Sequence, residues 1–480
     1  MSTQHPDNVR NPFFAANAVL EGDDEIKEAF YAYSHIKCQE QLWDCEGKEV
    51  DDYVVKKLLS KYEPFFKRNK LGEDIRLTLR VPNPEIEKDE AKILLETLES
   101  IPRSFDIAKA FYCEDVAPIF EVALPMTMSA GALLRIKEYY TRFVVGKADH
   151  SLGGMKIAEW VGDFRPKSIN VIPLLETVDS MLAADSIVGE YVSKARVEGQ
   201  QRVWLARSDT ALNYGLVPAI LINILSLQKL ETLEEQLSAE LLPIIGLGSA
   251  PFRGNLTPSN LSCIGEFPSV QTFTIQSAFK YDYDERDVAD AVKQMNSSKR
   301  HTARHIDEQE ARAVIATASD AYRKQVAALA ETISAVAKHI PQRRRRKLHI
   351  GLFGYSREQG GIRLPRAITF CASLYSLGLP PEILGMDTLS PKDMDFIRAA
   401  YTSFDRDMQD ALRYVNEDNF HFFPQDVIKA VKKSLGMFEY DVDEKHKKVT
   451  GIILDDFRRK DFAVMEENIM RAGALRGFLG

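Results

Sequence analysis

Two acidic residues, Glu176 and Asp209, follow apolar stretches of the chain at comparable positions. Glu176 comes directly after Pro173-Leu-Leu, and Asp209 comes after Leu205-Ala-Arg-Ser. Carboxylates at the ends of neighbouring strands can hold one Mg²⁺ or Mn²⁺, while water and substrate oxygens fill the remaining positions. Acidic residues are also common at strand ends simply because the chain meets water there. The pair on its own therefore leaves both interpretations open.

Arginines lie in two glycine-rich segments farther along the chain. Arg253 lies within residues 246–255, and Arg357 and Arg363 lie within residues 354–366. Glycine lets backbone N–H groups approach an anion, and a guanidinium offers a two-pronged contact to phosphate or carboxylate. Each arginine taken singly is equally well explained as part of a structural ion pair. Taken together with the acidic pair, they predict a metal-dependent enzyme that acts on a small phosphorylated acid.

The elements that must position these residues are eight short runs rich in apolar and β-branched residues. Each run has about four to seven residues, the usual length of a strand, and several are apolar throughout, as in strands covered on both faces. Stretches with helical periodicity, such as 89–99 and 177–195, lie between most of them. Alternating strands and helices predict a parallel sheet, and eight repeats predict a closed (β/α)8 TIM barrel with additional helices. The runs are 41–45, 75–81, 119–124, 170–175, 202–206, 242–247, 272–276 and 348–353.

Polar residues follow directly after these runs. In a barrel, such positions lie together at the carboxyl-terminal mouth, where active sites are built. Exposure of strand ends to water explains one or two charged residues, but it explains less well a set that combines several acids and arginines. The set comprises Asp44, Glu46, Arg80, Glu176, Arg207, Asp209, Arg253, Lys280 and Arg357.

We expect a single catalytic unit over residues 1–480. It would comprise an N-terminal arm and helix (1–36), the barrel (37–380) and a helical C-terminal region (381–480). Residues 284–340 show the pattern of one or two long helices inserted in the barrel between runs seven and eight. One short strand is predicted within the C-terminal region, at 449–454.

Composition excludes several classes of protein. The chain has 480 residues, 45% hydrophobic and 28% charged, which is typical of a soluble globular protein. A net charge of −8 gives no support for nucleic acid as a partner, and no uncharged run of about 18 apolar residues indicates a membrane span. The five scattered cysteines are typical of reduced thiols in a cytoplasmic protein. Phosphate-loop, dinucleotide-binding and biotin-attachment motifs are missing, so we expect neither nucleotide nor biotin as a cofactor.

Several longer motifs resemble those of archaeal-type phosphoenolpyruvate carboxylase, and the resemblance covers essentially the whole chain. It implies a (β/α)8 barrel with added helices that converts phosphoenolpyruvate and bicarbonate to oxaloacetate and phosphate, with Mg²⁺ or Mn²⁺ and without biotin. It further implies a homotetramer and, as is frequent in the family, feedback inhibition by aspartate or malate. The motifs are STQHPDN (2–8), LWDCEGKEV (42–50), RLTLRVPN (76–83), GSAPFRGN (248–255), KLHIGLFGYSR (347–357) and the terminal FLG (478–480).

The longer bacterial and plant carboxylases resemble the chain at shorter segments, and this resemblance implies roles for single residues. The implied catalytic residues are His5, Arg80, Arg253 and Arg357, and the implied metal ligands are Glu176 and Asp209. The chain departs from the longer enzymes at three cationic positions, where Ile245, Leu247 and a residue near Leu212 stand instead. We expect other residues to take over these roles, or the roles to be dispensed with. The expected substrate-binding residues are Arg207, Ser249, Lys280 and Arg363.

Alternatives remain at three points. The chain could be another Mg²⁺-enolate barrel, a lyase or aldolase of the phosphoenolpyruvate/pyruvate superfamily, or a catalytically inactive barrel that serves as a scaffold. His5 could lie in a frayed N-terminus, where most residues of most proteins are poorly ordered. Arg471 and Arg476 could bind a dicarboxylate inhibitor, or they could be ordinary arginines on a helix surface.

Overall fold

The fold is described from a computed structural model. It describes residues 1–48, 50–345 and 364–480, together with the backbone of 358–359 and 362–363. The predicted eighth strand, 348–353, lies outside the described residues, as do Arg357 and the side chain of Arg363.

A curled sheet of seven parallel strands forms the centre of the protein. Its order is β1-β2-β3-β6-β7-β8-β9, so neighbouring strands follow one another along the chain. Seven of the eight predicted runs coincide with these strands, which confirms the mixed α/β class. The strands are β1 Glu40–Asp44, β2 Arg76–Arg80, β3 Glu121–Leu124, β6 Asn170–Leu175, β7 Gly199–Leu205, β8 Ala239–Gly246 and β9 Thr272–Thr274, and a separate hairpin pairs β4 Ser151–Leu152 with β5 Met155–Lys156.

The strands are buried on both faces, because side chains alternate between the inside of the curl and the surrounding helices. In β1, Leu42 points inward and Trp43 packs in the outer core. The inner cluster also contains Ile172, Trp204 and Ile244. The near-continuous apolar runs of the sequence arise from this double coverage.

The first residues of the chain lie between the two edge strands of the sheet. Ser2 forms parallel bridges with Gln41 of β1 and with Ile275, just after β9. The Ser2 N–H donates to the carbonyl of Glu40 (2.8 Å), and the Thr3 N–H donates to the carbonyl of Ile275 (3.0 Å). The N-terminal segment is therefore hydrogen-bonded along both sides.

Helices cover the outside of the sheet and make up the C-terminal region. Residues 284–340 contain two helices, α12 and α13, as predicted, and 177–195 contain α7 and α8. The helices are α1 Asp23–Ser34, α2 Val54–Lys61, α3 Glu63–Phe66, α4 Ala91–Tyr112, α5 Ala130–Tyr139, α6 Ile157–Val161, α7 Val178–Leu182, α8 Ala184–Ala195, α9 Ser208–Tyr214, α10 Leu216–Glu234, α11 Ser277–Tyr281, α12 Glu285–Ser297, α13 Glu308–Ala337, α14 Ala367–Ser376, α15 Pro391–Ala400, α16 Phe404–Leu412, α17 Gln425–Leu435, α18 Glu444–Arg459 and α19 Phe462–Arg476.

The predicted strand at 449–454 is wrong, because these residues lie inside α18. Val449 and Ile453, four residues apart, are buried on one face of this helix. This spacing suits a helix that packs on a neighbour, and here α18 packs on α19. The packing of the whole helix thus outweighs the local preference of β-branched residues for strands.

Helix α10 is long and apolar enough to cross a membrane, but 72% of its apolar window is buried inside the protein. It packs against α8, α9 and α13 and against β8. Its composition is that of a core helix, which is apolar all round because other elements surround it.

Candidate active site

A cleft lies at the carboxyl ends of the strands, where the sequence predicted that polar residues converge. Because the strands are parallel, they end at the same edge of the sheet, and the residues that follow them lie together at that edge. Five cations, one histidine and two carboxylates are among the described residues that line it. They are His5, Lys48, Arg80, Glu176, Arg207, Asp209, Arg253 and Arg366, over a floor that includes Leu174, Trp204 and Ala206.

The N-terminal segment brings His5 to the cleft and holds it there. The His5 carbonyl accepts the N–H of Ser277, and the ring Nδ1 lies 2.8 Å from the hydroxyl oxygen of Thr3. Thr3 itself is fully buried. The alternative of a frayed N-terminus does not describe this segment, which is packed and hydrogen-bonded on both sides.

The surroundings of His5 favour the neutral imidazole. Burial lowers the pKa of His5 well below its usual value, and the nearby cations Lys48, Arg80, Arg253 and Arg366 lower it further. A proton on the ring would add another positive charge to an already cationic cleft. His5 is therefore neutral at neutral pH, and one of its two ring nitrogens carries no hydrogen.

Arg253 is buried and bound on three sides. Its Nη1 donates to Asp7 Oδ2 at 3.1 Å and to the backbone oxygen of Gly480 at 2.7 Å, and its Nη2 donates to Gln276 Oε1. These contacts take up both hydrogens of Nη1 and one hydrogen of Nη2. The guanidinium is thus fixed in one orientation, and its buried Nε has no hydrogen-bond partner among the described residues, which leaves it as a donor for an anion.

The glycine segment 246–255 folds closely around Arg253. A Cβ atom on Gly248 would lie 2.8 Å from Cζ of Arg253, so only glycine leaves room for the guanidinium. The Gly248 N–H donates to the Arg253 carbonyl (2.9 Å), and Asn255 Nδ2 donates to Asp407 (2.7 Å) and Asp410 (2.9 Å) of α16. The loop is thus braced from behind by the C-terminal helices.

Arg207 and Arg80 are tied to protein partners differently. Arg207 donates through Nη1 to the Phe252 carbonyl at 2.9 Å, and burial lowers its pKa although nearby acidic groups partly offset that effect. Among the described residues, no carboxylate lies within ion-pair distance of its guanidinium. Arg80 instead forms a two-pronged ion pair with Asp44 (2.8 and 2.7 Å). Lys48 also binds Asp44. Arg207 therefore brings its charge to the cleft less neutralised than that of Arg80.

Glu176 and Asp209 both line the cleft, directly after β6 and near the start of α9. The Met126 N–H donates to Glu176 Oε2 at 2.6 Å, which orients that carboxylate. Within the described ranges, no third histidine, cysteine or acid completes a metal-binding cluster with them. Two carboxylates are the hard oxygen donors that Mg²⁺ and Mn²⁺ prefer, so the pair fits such an ion whose other ligands are water or substrate.

Two residues expected to bind substrate lie elsewhere. Lys280 is fully buried behind the N-terminal segment, where its ammonium donates to Glu28 (2.9 Å) and to the Thr3 carbonyl (2.9 Å). The Ser249 hydroxyl donates to the Leu256 carbonyl (3.1 Å) inside the glycine segment. Neither is among the residues that line the cleft.

Of the two C-terminal arginines, Arg471 is exposed on α19, whereas Arg476 does not lie on the helix surface. Arg476 is buried and donates to His446 Nε2 (2.8 Å) and to the Leu479 carbonyl (3.0 Å). Its guanidinium lies over the rings of Tyr375 and Phe478. It is therefore a core residue of the C-terminal region.

Sequence reasoning missed the roles of Asp7, Lys48 and Gln276 in the cleft. Asp7 and Lys48 lie within the motifs 2–8 and 42–50, close in sequence to His5 and Asp44. This proximity was the signal that could have identified them. Gln276 lies two residues after β9, close to the position where the other strands carry their functional residues.

Comparison with known proteins agrees with this geometry. A family model described as phosphoenolpyruvate carboxylase matches residues 1–480. The phosphoenolpyruvate carboxylase of Methanothermobacter thermautotrophicus is 52% identical over 483 residues, covering 100% of this chain and 99% of that protein. Those of Methanospirillum hungatei and Pyrococcus horikoshii are 50% and 46% identical, with the same coverage. The chain therefore belongs to the archaeal-type phosphoenolpyruvate carboxylase family.

Proposed function

We propose that the protein carboxylates phosphoenolpyruvate with bicarbonate, giving oxaloacetate and phosphate. The observation that carries the proposal is the cleft itself, in which five cations surround a neutral histidine and two carboxylates. Phosphoenolpyruvate has a phosphate and a carboxylate, and bicarbonate adds another negative charge. A cleft for these reactants needs more cations than any one of them would require.

Glu176 and Asp209 would hold the divalent ion, Mg²⁺ or Mn²⁺. When bound, such an ion supplies a Lewis acid that stabilises negative charge on an enolate oxygen. Neither biotin nor a nucleotide has a role in the proposed reaction.

In the first step bicarbonate attacks the phosphoryl group, giving carboxyphosphate and the enolate of pyruvate. The phosphoryl oxygens carry the charge during transfer, and fixed donors are most effective there. Arg253 and Arg207 are the donors in this proposal, because both are buried and bound to the glycine segment. Arg357 and the side chain of Arg363 lie outside the described residues, and we propose both as additional contacts on the resemblance to the family alone.

In the second step His5 takes the carboxyl proton of carboxyphosphate. The O–H electrons form the second C=O bond of CO₂, and the C–O bond to phosphorus breaks with its electron pair on phosphate. The enolate carbon then attacks CO₂ and gives oxaloacetate. The apolar floor of Leu174, Trp204 and Ala206 limits water near the enolate, which would otherwise be protonated to pyruvate.

We also propose that the curled sheet closes into a barrel at residues 1–3. Support comes from the bridges of Ser2 to both edge strands. In this proposal the barrel unit spans 37–380 with its arm at 1–36, and 381–480 form a helical region that braces the glycine segment. The resemblance to the family supports a cytoplasmic homotetramer with aspartate or malate as inhibitors.

One assay tests the function. Purified protein is supplied with phosphoenolpyruvate, bicarbonate and Mg²⁺, and oxaloacetate is measured by its coupled reduction with malate dehydrogenase and NADH. We expect oxaloacetate only when bicarbonate is present. Cleavage or aldol products without bicarbonate would favour the alternative lyase, and no turnover under any of these conditions would favour an inactive scaffold.

A further inference from the structure

We infer that Thr3 is a positioning residue for His5, whose hydroxyl holds the ring hydrogen on Nδ1 and leaves Nε2 as the proton acceptor in the cleft. The inference rests on the proposed function only for what His5 does. The tautomer itself is a property of the resting protein. Thr3 itself makes no contact with the reactants in our proposal.

The direction of the hydrogen bond follows from the partners of the Thr3 hydroxyl. Its oxygen lies 3.2 Å from the Ile275 carbonyl and 2.8 Å from His5 Nδ1. A carbonyl oxygen can only accept, so the single hydroxyl hydrogen is donated to Ile275. The hydroxyl oxygen can then only accept from His5, which requires a hydrogen on Nδ1.

The charges around the cleft favour the same tautomer independently. Lys48, Arg80, Arg253 and Arg366 all act on the His5 ring. An N–H group at Nε2 would direct its positive end toward a cationic cleft, whereas a lone pair there is attracted to the cations. Since burial keeps the imidazole neutral, only one ring nitrogen carries hydrogen.

Thr3 is itself held rigidly, which makes it suitable for orienting a neighbour. Its N–H donates to the Ile275 carbonyl (3.0 Å), and its own carbonyl accepts from Lys280 (2.9 Å). Lys280 also donates to Ser2 Oγ (3.1 Å) and is neutralised by Glu28. The buried lysine thus fixes the segment from behind, and the Thr3 hydroxyl extends that rigidity to the imidazole.

The first test measures the tautomer without any substitution in the observed protein. Protein with ¹⁵N-labelled histidine is studied by NMR at neutral pH, and the His5 signals are assigned by their absence from His5→Gln. We expect a protonated Nδ1 and an unprotonated Nε2. The opposite pattern would overturn the inference, whether or not the protein makes oxaloacetate.

The second test compares Thr3→Val, which replaces the hydroxyl by a methyl group of similar size, with Thr3→Ser, which keeps the hydroxyl. For Thr3→Val we expect oxaloacetate formation to fall on the order of 10- to 100-fold, as for other residues that orient a functional histidine. Bicarbonate-dependent pyruvate should accumulate while KM for phosphoenolpyruvate changes little, and Thr3→Ser should restore coupling. Full coupling in a folded Thr3→Val protein would contradict the inference.

The two tests separate this inference from the proposed function. If the wild-type protein forms no oxaloacetate, the proposed function fails, and the NMR measurement still decides the tautomer. If oxaloacetate forms and Thr3→Val does not fold, the spectrum of the wild-type protein and the activity of Thr3→Ser remain decisive. If Thr3→Ser formed pyruvate in place of oxaloacetate to the same extent as His5→Asn, the hydroxyl would not be the group that positions His5.

Discussion

Asp7 and Arg253 form a buried ion pair, with 3.1 Å between Oδ2 and Nη1. They stand 246 residues apart in the chain, and their contact joins the segment that carries His5 to the glycine segment. Asp7 also accepts the Ala278 N–H (2.7 Å), so one carboxylate connects three parts of the cleft. The position of the proposed base and that of the proposed phosphate-binding arginine are therefore coupled.

Arg253→Lys should lose most of the activity while keeping the charge. An ammonium cannot bind Asp7, Gln276 and the Gly480 carbonyl in the geometry of the guanidinium and still face an anion. We expect kcat/KM for phosphoenolpyruvate to drop by the equivalent of about 2–4 kcal/mol, the scale for one fixed electrostatic donor. Arg312→Lys, on the exposed face of α13, is the control, and equal activity of the two variants would make Arg253 a purely structural residue.

Gly248→Ala should reduce activity because the added methyl group would displace the side chain of Arg253. The added Cβ would come within 2.8 Å of Cζ of Arg253, which cannot move away easily because its partners hold it. Gly265→Ala is a matched control, since its Cβ would have no atom within 4 Å. Steady-state kinetics of both variants at equal thermal stability test this point. Wild-type kinetics for Gly248→Ala would show that the glycine segment accommodates the added methyl group without displacing Arg253.

His5→Asn should uncouple the two halves of the reaction. Phosphoryl transfer to bicarbonate uses the metal and the arginines, which remain, but release of CO₂ lacks its proton acceptor. We expect bicarbonate-dependent pyruvate and phosphate with little oxaloacetate, each product being measured separately. His305→Asn, which changes an exposed histidine bound to Glu231, should leave the product ratio unaltered. Unchanged oxaloacetate formation by His5→Asn would rule out its catalytic role.

Removal of divalent metal should abolish turnover. In the proposed reaction the ion held by Glu176 and Asp209 would supply the Lewis acid for the enolate oxygen, so chelation with EDTA should stop the reaction and added Mg²⁺ or Mn²⁺ should restore it. Glu176→Gln and Asp209→Asn should raise the metal concentration needed for half-maximal rate, whereas the exposed Asp320→Asn should not. Avidin should have no effect, and no ATP should be required. Full activity after complete chelation contradicts the assignment.

His446 should make the protein less stable as the pH falls. Burial, together with Arg476, lowers the pKa of His446 from 6.5 to about 2. Below pH 6.5 the unfolded chain binds a proton that the folded protein does not, so stability declines with pH down to the folded pKa. Between pH 7.5 and 5.5 this one group should cost about 1.4 kcal/mol.

The measurement is urea unfolding of wild type and His446→Gln at both pH values. Glutamine can still accept from Arg476, and the exposed His150→Gln is the control. The wild-type loss of stability between the two pH values should exceed that of His446→Gln by the amount given above. Identical pH dependence would show that folding does not lower the pKa of His446. Groups with raised pKa, such as Glu382 at about 7, act in the opposite direction in both proteins and cancel in the comparison.

Much of the fold could be predicted because parallel strands covered on both faces leave a strong local signal. The apolar runs and the polar residues after them located seven strands and the edge at which the cleft lies. The strand predicted at 449–454 failed because Val449 and Ile453 have the local preferences of a strand, while their burial depends on α19.

The part of the site that escaped prediction depends on distant partners. Lys280 lies in α11, soon after β9, but its partner Glu28 lies 252 residues earlier in α1. Nothing near Lys280 in the sequence indicates that pairing. For Asp7 the proximity to His5 was a signal, but its partner Arg253 lies 246 residues away and could not be read from the motif.

The bridges of the first residues to Ile275 also determine when the cleft can form during synthesis. Thr3 must wait for a partner made 272 residues later, which at about 5–20 residues per second is roughly 15–55 s of translation. Until then His5 has no fixed position, and Arg253 lacks its contact with the Gly480 backbone oxygen until residue 480 has been made. A ribosome-bound chain that has not reached Gly480 therefore holds no fully assembled cleft, so the cleft forms late in synthesis.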